Sequence, residues 1–206
     1  KFDALILATG ATDRVIPLPG WTLPGVFTLG AAQIALKAQA CAIGERTIFN
    51  LMGPLANPAR VSRQLIGIAR PDYVQVYGRA LESLGAEAAM IVSGDEGLDE
   101  LSGAGPSRIF SIGHLAVGET VQPSDAGLPT APTSAIRGGD AAYNAAALRR
   151  LLLGEHGPYR DAVLLNAAAA LIVAGRAANW REGVEEASEV LDNGLANTLL
   201  DCWIAF

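Results

Sequence analysis

The stretch EAAMIVSGDEGLDELSGAGPSR, residues 87–108, sets an apolar run directly before a dense acidic turn. Ala88 to Val92 is long enough for a buried strand, and Ser93-Gly94 reads as its end. Four carboxylates then fall within six positions, Asp95, Glu96, Asp99 and Glu100, with Gly97 among them to let the backbone turn sharply. Gly103, Gly105 and Pro106 close the loop. A strand that stops and delivers hard oxygen ligands on adjacent residues suits Mg²⁺, which keeps most of its waters and bridges to substrate phosphates. The same residues also read as a solvated acidic loop, because charge runs usually face water.

Outward to the N-terminal side, Gln64 to Ala69 reads as a strand. Residues 72–85 place apolar side chains at Val74, Tyr77, Leu81 and Leu84, the period of an amphipathic helix. Strand, helix and strand predict a parallel pair joined by a right-handed crossover. Loops at the carboxyl ends of such strands are where ligands bind, and the acidic turn occupies one of them.

Outward to the C-terminal side, residues 108–136 are irregular, with RIFSIG and ETVQPSDAGL as candidate edge strands. Four helices follow. Residues 137–153 open on Gly138-Gly139, with Asp140 as N-cap and Gly154 as the stop. Free N–H groups at that start are alternatively a place for an anion. Residues 159–175 form the most apolar helix, ended by Gly175. Residues 180–192 put Glu182, Glu185, Glu186 and Glu189 on the wet face and Val184, Ala187, Val190 and Leu191 inward. Leu195 to Ile204 forms the last. The fold class predicted is α/β, a mostly parallel sheet covered by helices.

Half of the 206 residues are hydrophobic, enough for a packed core. The net charge of −6 and the absence of any Lys/Arg run argue against nucleic-acid or anionic-membrane partners. The apolar run at 162–175 is shorter than the ~20 residues of a membrane span, so it reads as a buried core helix. Cys41 and Cys202 lie far apart and read as reduced, buried thiols of a cytoplasmic protein. The chain opens at Lys1, directly on a strand-like pattern, and reads as a fragment.

Composition changes along the chain. Both lysines precede residue 44, and the twelve basic residues after it are all arginine. Net charge is +1 for residues 1–44 (three basic, two acidic) and −7 for residues 45–206 (twelve basic, nineteen acidic). A boundary is therefore expected near Gly44–Thr47, with no linker to mark it.

In residues 1–44, Ala4 to Ala8 and Gly25 to Leu29 read as short strands around Pro17, Pro19 and Pro24, and Ala31 to Ala42 as a helix. The segment DALILATG (3–10), followed by Pro17, Pro19-Gly20 and Gly25-Val26-Phe27-Thr28, resembles the junction between the FAD and NAD domains of FAD- and pyridine-nucleotide-dependent oxidoreductases. The glycine fingerprint that holds a dinucleotide pyrophosphate is absent, so FAD is not expected.

Residues 45–206 carry four blocks in order: RTIFN (46–50) with Gly53-Pro54-Leu55 and Asn57-Pro58; Gly97-Leu98-Asp99-Glu100; Gly138-Gly139-Asp140-Ala141 with Asn144-Ala145; and RDAVLLNAA (160–168). Together they resemble the C-terminal α/β portion of the anthranilate phosphoribosyltransferase family. The resemblance implies transfer of phosphoribosyl from phosphoribosyl pyrophosphate (PRPP) to anthranilate in tryptophan biosynthesis. It implies Mg²⁺ on Asp99 and Glu100 at the pyrophosphate, Gly53 lining the anthranilate site, and Asp140 and Asn166 as structural family residues. The family's phosphate-cradling glycine loop, its anthranilate-binding arginine and the helical domain of its homodimer interface lie upstream of the matching part. The expectation is a truncated or chimeric chain with no activity alone. Two other readings stand beside it: a fragment of a flavin oxidoreductase, and a non-catalytic interaction module with exposed apolar surface.

Overall fold

A computed structural model of the chain describes residues 61–206, the strand segments Leu5–Leu7 and Val26–Thr28, and Leu55. Two units divide the chain, Lys1–Arg60 and Val61–Phe206. In the first, β1 (Leu5–Leu7) and β2 (Val26–Thr28) pair in parallel, Ile6 opposite Phe27. These are the two short strands expected there. The helix expected at Ala31–Ala42 lies outside the described residues, as do Cys41 and Gly53.

The second unit begins with β3 (Arg63–Gly67), a 3₁₀ turn at Pro71–Tyr73 and helix α1 (Val74–Ser83). Strand β4 (Ala88–Gly94) follows and pairs in parallel with β3, Gly67 opposite Val92. This is the crossover pair that the strand–helix–strand order predicts. Val74, Tyr77 and Leu81 bury the inner face of α1. Leu84 does not join them, because the helix stops at Ser83 and leaves it 64% exposed. A Cβ on Gly78 would stand 2.1 Å from the Phe110 ring, so glycine lets α1 lie close on the sheet.

Strand β4 runs further than its apolar residues suggest. Ser93 and Gly94 stay in the ladder, opposite Arg108 and Ser107, and Ser93 is fully buried. Strands β5 (Ser107–Ile112) and β6 (Thr120–Val121) complete a sheet of order β3-β4-β5-β6. Both later pairings are antiparallel, so the sheet is mixed rather than mostly parallel. The cause lies in residues 95–106. They form no helix, and a parallel return needs a crossover of about a dozen residues, usually a helix. Consequently β5 lies inside the sheet, and of the two expected edge strands only the two-residue β6 is one. Pro123–Ala126 turns into a 3₁₀ segment and ends the second predicted strand.

Four helices follow: α2 (Ala141–Leu152), α3 (Pro158–Ala174), α4 (Trp180–Asp192) and α5 (Leu195–Ala205); α3 lies on β3 and β4, and the other three pack with it around a second apolar cluster. Their ends follow capping chemistry. Asp140 accepts from the Tyr143 N–H at 2.8 Å, Asn179 accepts from the Glu182 N–H at 3.0 Å, and Gly154 and Gly175 take positive φ where α2 and α3 stop. Met90 and Val92 of β4 pack with Leu165, Ala168, Ala169 and Ile172 of α3 in the main core. The apolar run at 162–175 is therefore a core helix, and no helix among the described residues is long and apolar enough to cross a membrane.

Helix α4 buries Trp180, Gly183, Ala187 and Leu191. Val190, expected inward, lies at the margin of the stripe formed by Trp180, Gly183, Ala187 and Leu191 and is 37% exposed. Helix α5 leaves Leu195, Leu199 and Trp203 exposed, and Cys202 is exposed rather than buried.

Candidate functional site

Because β3 and β4 are parallel, their carboxyl ends, Gly67 and Gly94, lie at the same edge of the sheet. The acidic loop leaves Gly94 and folds back over that edge. Its first turn is closed by bonds from the Gly94 N–H to the Leu98 carbonyl (3.0 Å) and from the Gly97 N–H to the Gly94 carbonyl (2.9 Å). Gly97 takes φ +88°, the sharp turn expected of it. The backbone of Asp99 then passes directly over Gly67, where a Cβ would come 1.5 Å from the Asp99 carbonyl oxygen.

Further along, helix α3 takes hold of the loop. Asn166 Oδ1 accepts from the Leu101 N–H at 2.9 Å, while Asn166 Nδ2 donates to the Leu101 carbonyl at 3.1 Å and to the Ala162 carbonyl at 3.0 Å. Next to Leu101, the buried Ser102 donates its N–H to Ser107 Oγ and its hydroxyl to Glu96 Oε1. Thr133 Oγ1 adds a second bond to the same Glu96 oxygen. Burial pushes the Glu96 carboxyl up. The hydrogen bonds from Ser102, from its own backbone and from Thr133 outweigh that and hold it below its ordinary value.

The four carboxylates are thus not equivalent. Glu96 is tied into the loop, and Asp95 pairs with Arg108 at 3.3 Å. Asp99 and Glu100 are exposed and make no hydrogen bond or ion pair with another described side chain. Both line a cavity of about 500 Å³ between the strand ends, Ile136, and Tyr159 and Asn166 of α3. No cluster of three or more His, Cys, Asp or Glu ligands occurs among the described residues. The donor set on offer is two adjacent carboxylates and open space, which fits Mg²⁺ with waters and phosphate oxygens as its other ligands.

A second asparagine repeats the Asn166 pattern. Asn144 Oδ1 accepts from the Gly139 N–H and Asn144 Nδ2 donates to the Gly139 carbonyl, at 2.9 and 3.0 Å. A Cβ on Gly138 would meet Asn144 Oδ1 at 2.9 Å, which accounts for glycine before the Asp140 cap.

A profile described as the glycosyl transferase family, a/b domain, matches residues 27–197. The chain belongs to this family. The anthranilate phosphoribosyltransferase of Novosphingobium aromaticivorans is 63% identical over 166 residues, 80% of this chain and 50% of that protein. The enzyme of the same name from Rhodopseudomonas palustris strain HaA2 is 48% identical over 184 residues, 88% and 52% of the two chains. Among solved structures, anthranilate phosphoribosyltransferase from Thermus thermophilus superposes with a TM-score of 0.74 at 38% identity, covering 87% of this chain and 54% of that one. The Saccharomyces cerevisiae enzyme in complex with PRPP and Mg gives 0.70 at 26% identity, covering 88% and 54%. The chain spans about half the length of the curated relatives it matches.

The family match begins at residue 27, upstream of the compositional boundary near Gly44–Thr47. Residues 27–44, read from composition as part of the oxidoreductase-like piece, therefore fall within the glycosyl transferase family match. Sequence reasoning singled out Asp99 and Glu100 but missed how the loop that carries them is held. Gly67 is readable as an isolated glycine in a strand, which marks a close backbone approach. Asn166 is readable as the one side-chain amide inside an apolar helical run.

Proposed function

We propose that these residues form the α/β half of an anthranilate phosphoribosyltransferase, with Asp99 and Glu100 as the ligands of Mg²⁺ at the pyrophosphate of PRPP. The observation that carries the reading is the pair Asp99–Glu100, without a side-chain partner among the described residues, on a cavity at the carboxyl ends of a parallel strand pair. The relatives' names and the PRPP- and Mg-containing yeast structure support it.

When bound, the metal supplies charge neutralisation of the departing pyrophosphate. This chain's residues do the positioning. Adjacent carboxylates fix the cation's place without supplying a full ligand shell, which leaves sites for phosphate oxygens. Loop and helix hold those carboxylates before substrate arrives, so little reorganisation accompanies binding. Gly53, in the Gly53-Pro54-Leu55 block, lines the anthranilate site in this reading. In the resembled family the phosphate-cradling loop and the anthranilate arginine precede the matching part, so this reading expects no turnover by these residues alone.

The test is calorimetric titration of the chain with PRPP, with and without Mg²⁺. Metal-dependent binding that disappears in Asp99→Ala/Glu100→Ala supports the proposal, and metal-independent binding or none removes it. A second reading is the oxidoreductase resemblance of residues 1–44, which rests on the DALILATG segment; β2 of that piece already overlaps the family match at residue 27. Stoichiometric FAD uptake with a flavin absorbance band is its test, and a colourless chain that takes up none rejects it.

A further inference from the structure

We infer that Asn166 is a positioning residue that sets the affinity of the Asp99–Glu100 pair for a divalent cation; the inference rests on the metal reading above.

Three observations meet at this side chain. Both ends of its amide are used on one residue, the N–H and carbonyl of Leu101, directly after Glu100. Its third bond, to the Ala162 carbonyl, anchors the amide to its own helix, so the grip is referred to the rigid core rather than to another loop. And Asn166 lines the same cavity as the two carboxylates.

Gly67 lines the same cavity, and the Asp99 backbone rests against it. The two ligand residues are therefore held between a backstop on β3 and a clip on α3. Nothing else among the described residues holds Asp99 or Glu100 by its side chain. Without the clip, the carboxylates would have to be ordered by the cation itself, and that ordering would subtract from its binding. Partners that orient ligand residues typically contribute about 10–100-fold in metal affinity.

The experiment uses the full chain, with Mn²⁺ as the probe ion in the presence of inorganic pyrophosphate, and hydrogen exchange at the Leu101 amide as a metal-free readout. Asn166→Leu keeps the helix's apolar packing and removes the clip; Asn166→Ala is the second variant. Gly183→Ala is the control: it strains the contact of α4 with Ala168 of the same helix, where the added Cβ would come within 2.8 Å, and leaves the loop alone. The expected result is Mn²⁺ affinity about tenfold weaker and faster Leu101 exchange in both Asn166 variants, at a melting temperature no lower than that of Gly183→Ala, which keeps wild-type affinity. An Asn166→Leu chain that binds Mn²⁺ as tightly as wild type, or exchanges its Leu101 N–H no faster, overturns the inference. A wild-type chain that binds no Mn²⁺ overturns the metal reading instead, and the inference falls with it, whatever the exchange rates show of the clip.

Discussion

Gly67 and Asp99 are in contact that only a glycine permits: a Cβ at position 67 would lie 1.5 Å from the Asp99 carbonyl oxygen and 2.5 Å from its carbonyl carbon. Gly67 has no positive φ, so the requirement is steric, not conformational. Both Asp99 atoms in that contact are main chain, and no rotamer change can relieve it. Gly67→Ala should force the loop off the strand end, at a cost of about 1–3 kcal/mol, and weaken Mg²⁺-dependent PRPP binding. Thermal melts and calorimetry on the same preparation check this. Wild-type binding by Gly67→Ala would show that the loop position does not matter to the ligand.

Asp99 and Glu100 predict the opposite balance. Neither bonds another described side chain, so Asp99→Asn and Glu100→Gln should leave stability within about 0.5 kcal/mol. Binding of metal-loaded PRPP should nevertheless be lost. Urea unfolding read beside titration separates the two effects. A large loss of stability would mean that these carboxylates serve the fold.

Much of this is legible in the sequence because its determinants are local. Asp140, Gly154 and Gly175 mark helix ends by chemistry that acts within a turn, and the apolar period of residues 72–85 predicts α1 apart from its last position. Strand order is not local. The acidic stretch names its own loop, but the direction in which β5 returns depends on residues 95–106 lacking a helix, a feature more informative than the strand pattern. The clip of Asn166 on Leu101 joins residues 65 apart in the chain, so periodicity shows that an amide interrupts an apolar helix but not what it holds. The close approach of Gly183 to Ala168 is likewise non-local, and no hydropathy value records it.

Glu96 predicts a pH dependence. Burial would raise its pKa, but the bonds from Ser102, from its own backbone and from Thr133 take it below the ordinary 4.5. Asp95, its neighbour in the chain, pairs with Arg108 at 3.3 Å. A carboxyl whose folded pKa is depressed adds stability above its unfolded pKa and loses it as pH falls through the folded value. Stability should therefore fall with acid between about pH 5 and pH 3, and Glu96→Gln should make that slope shallower. Melting temperatures of both chains across this window test it, and equal slopes would assign the acid response to other carboxylates.

Arg160 and Asp192 give a prediction in which the two halves of one ion pair differ. Arg160 is 2% exposed; its Nη2 donates to Ser188 Oγ at 2.7 Å and to Asp192 Oδ2 at 2.9 Å, with Asp192 Oδ1 2.8 Å away, while its Nη1 is buried without a partner among the described residues. Asp192 is half exposed. Asp192→Ala leaves a buried guanidinium with one serine hydroxyl bond and the charge of the neighbouring Asp161, and a buried charge stripped of its ion-pair partner is costly. Arg160→Met removes that charge, keeps the length of the stem against α4, and leaves a carboxylate that water already reaches. Asp192→Ala should therefore cost about 1–3 kcal/mol, and Arg160→Met less. Urea unfolding of the two variants orders them. If Arg160→Met proves the more damaging, the guanidinium stabilises α3 on α4 by more than its bond to Asp192, and its unpartnered Nη1 must be satisfied by water.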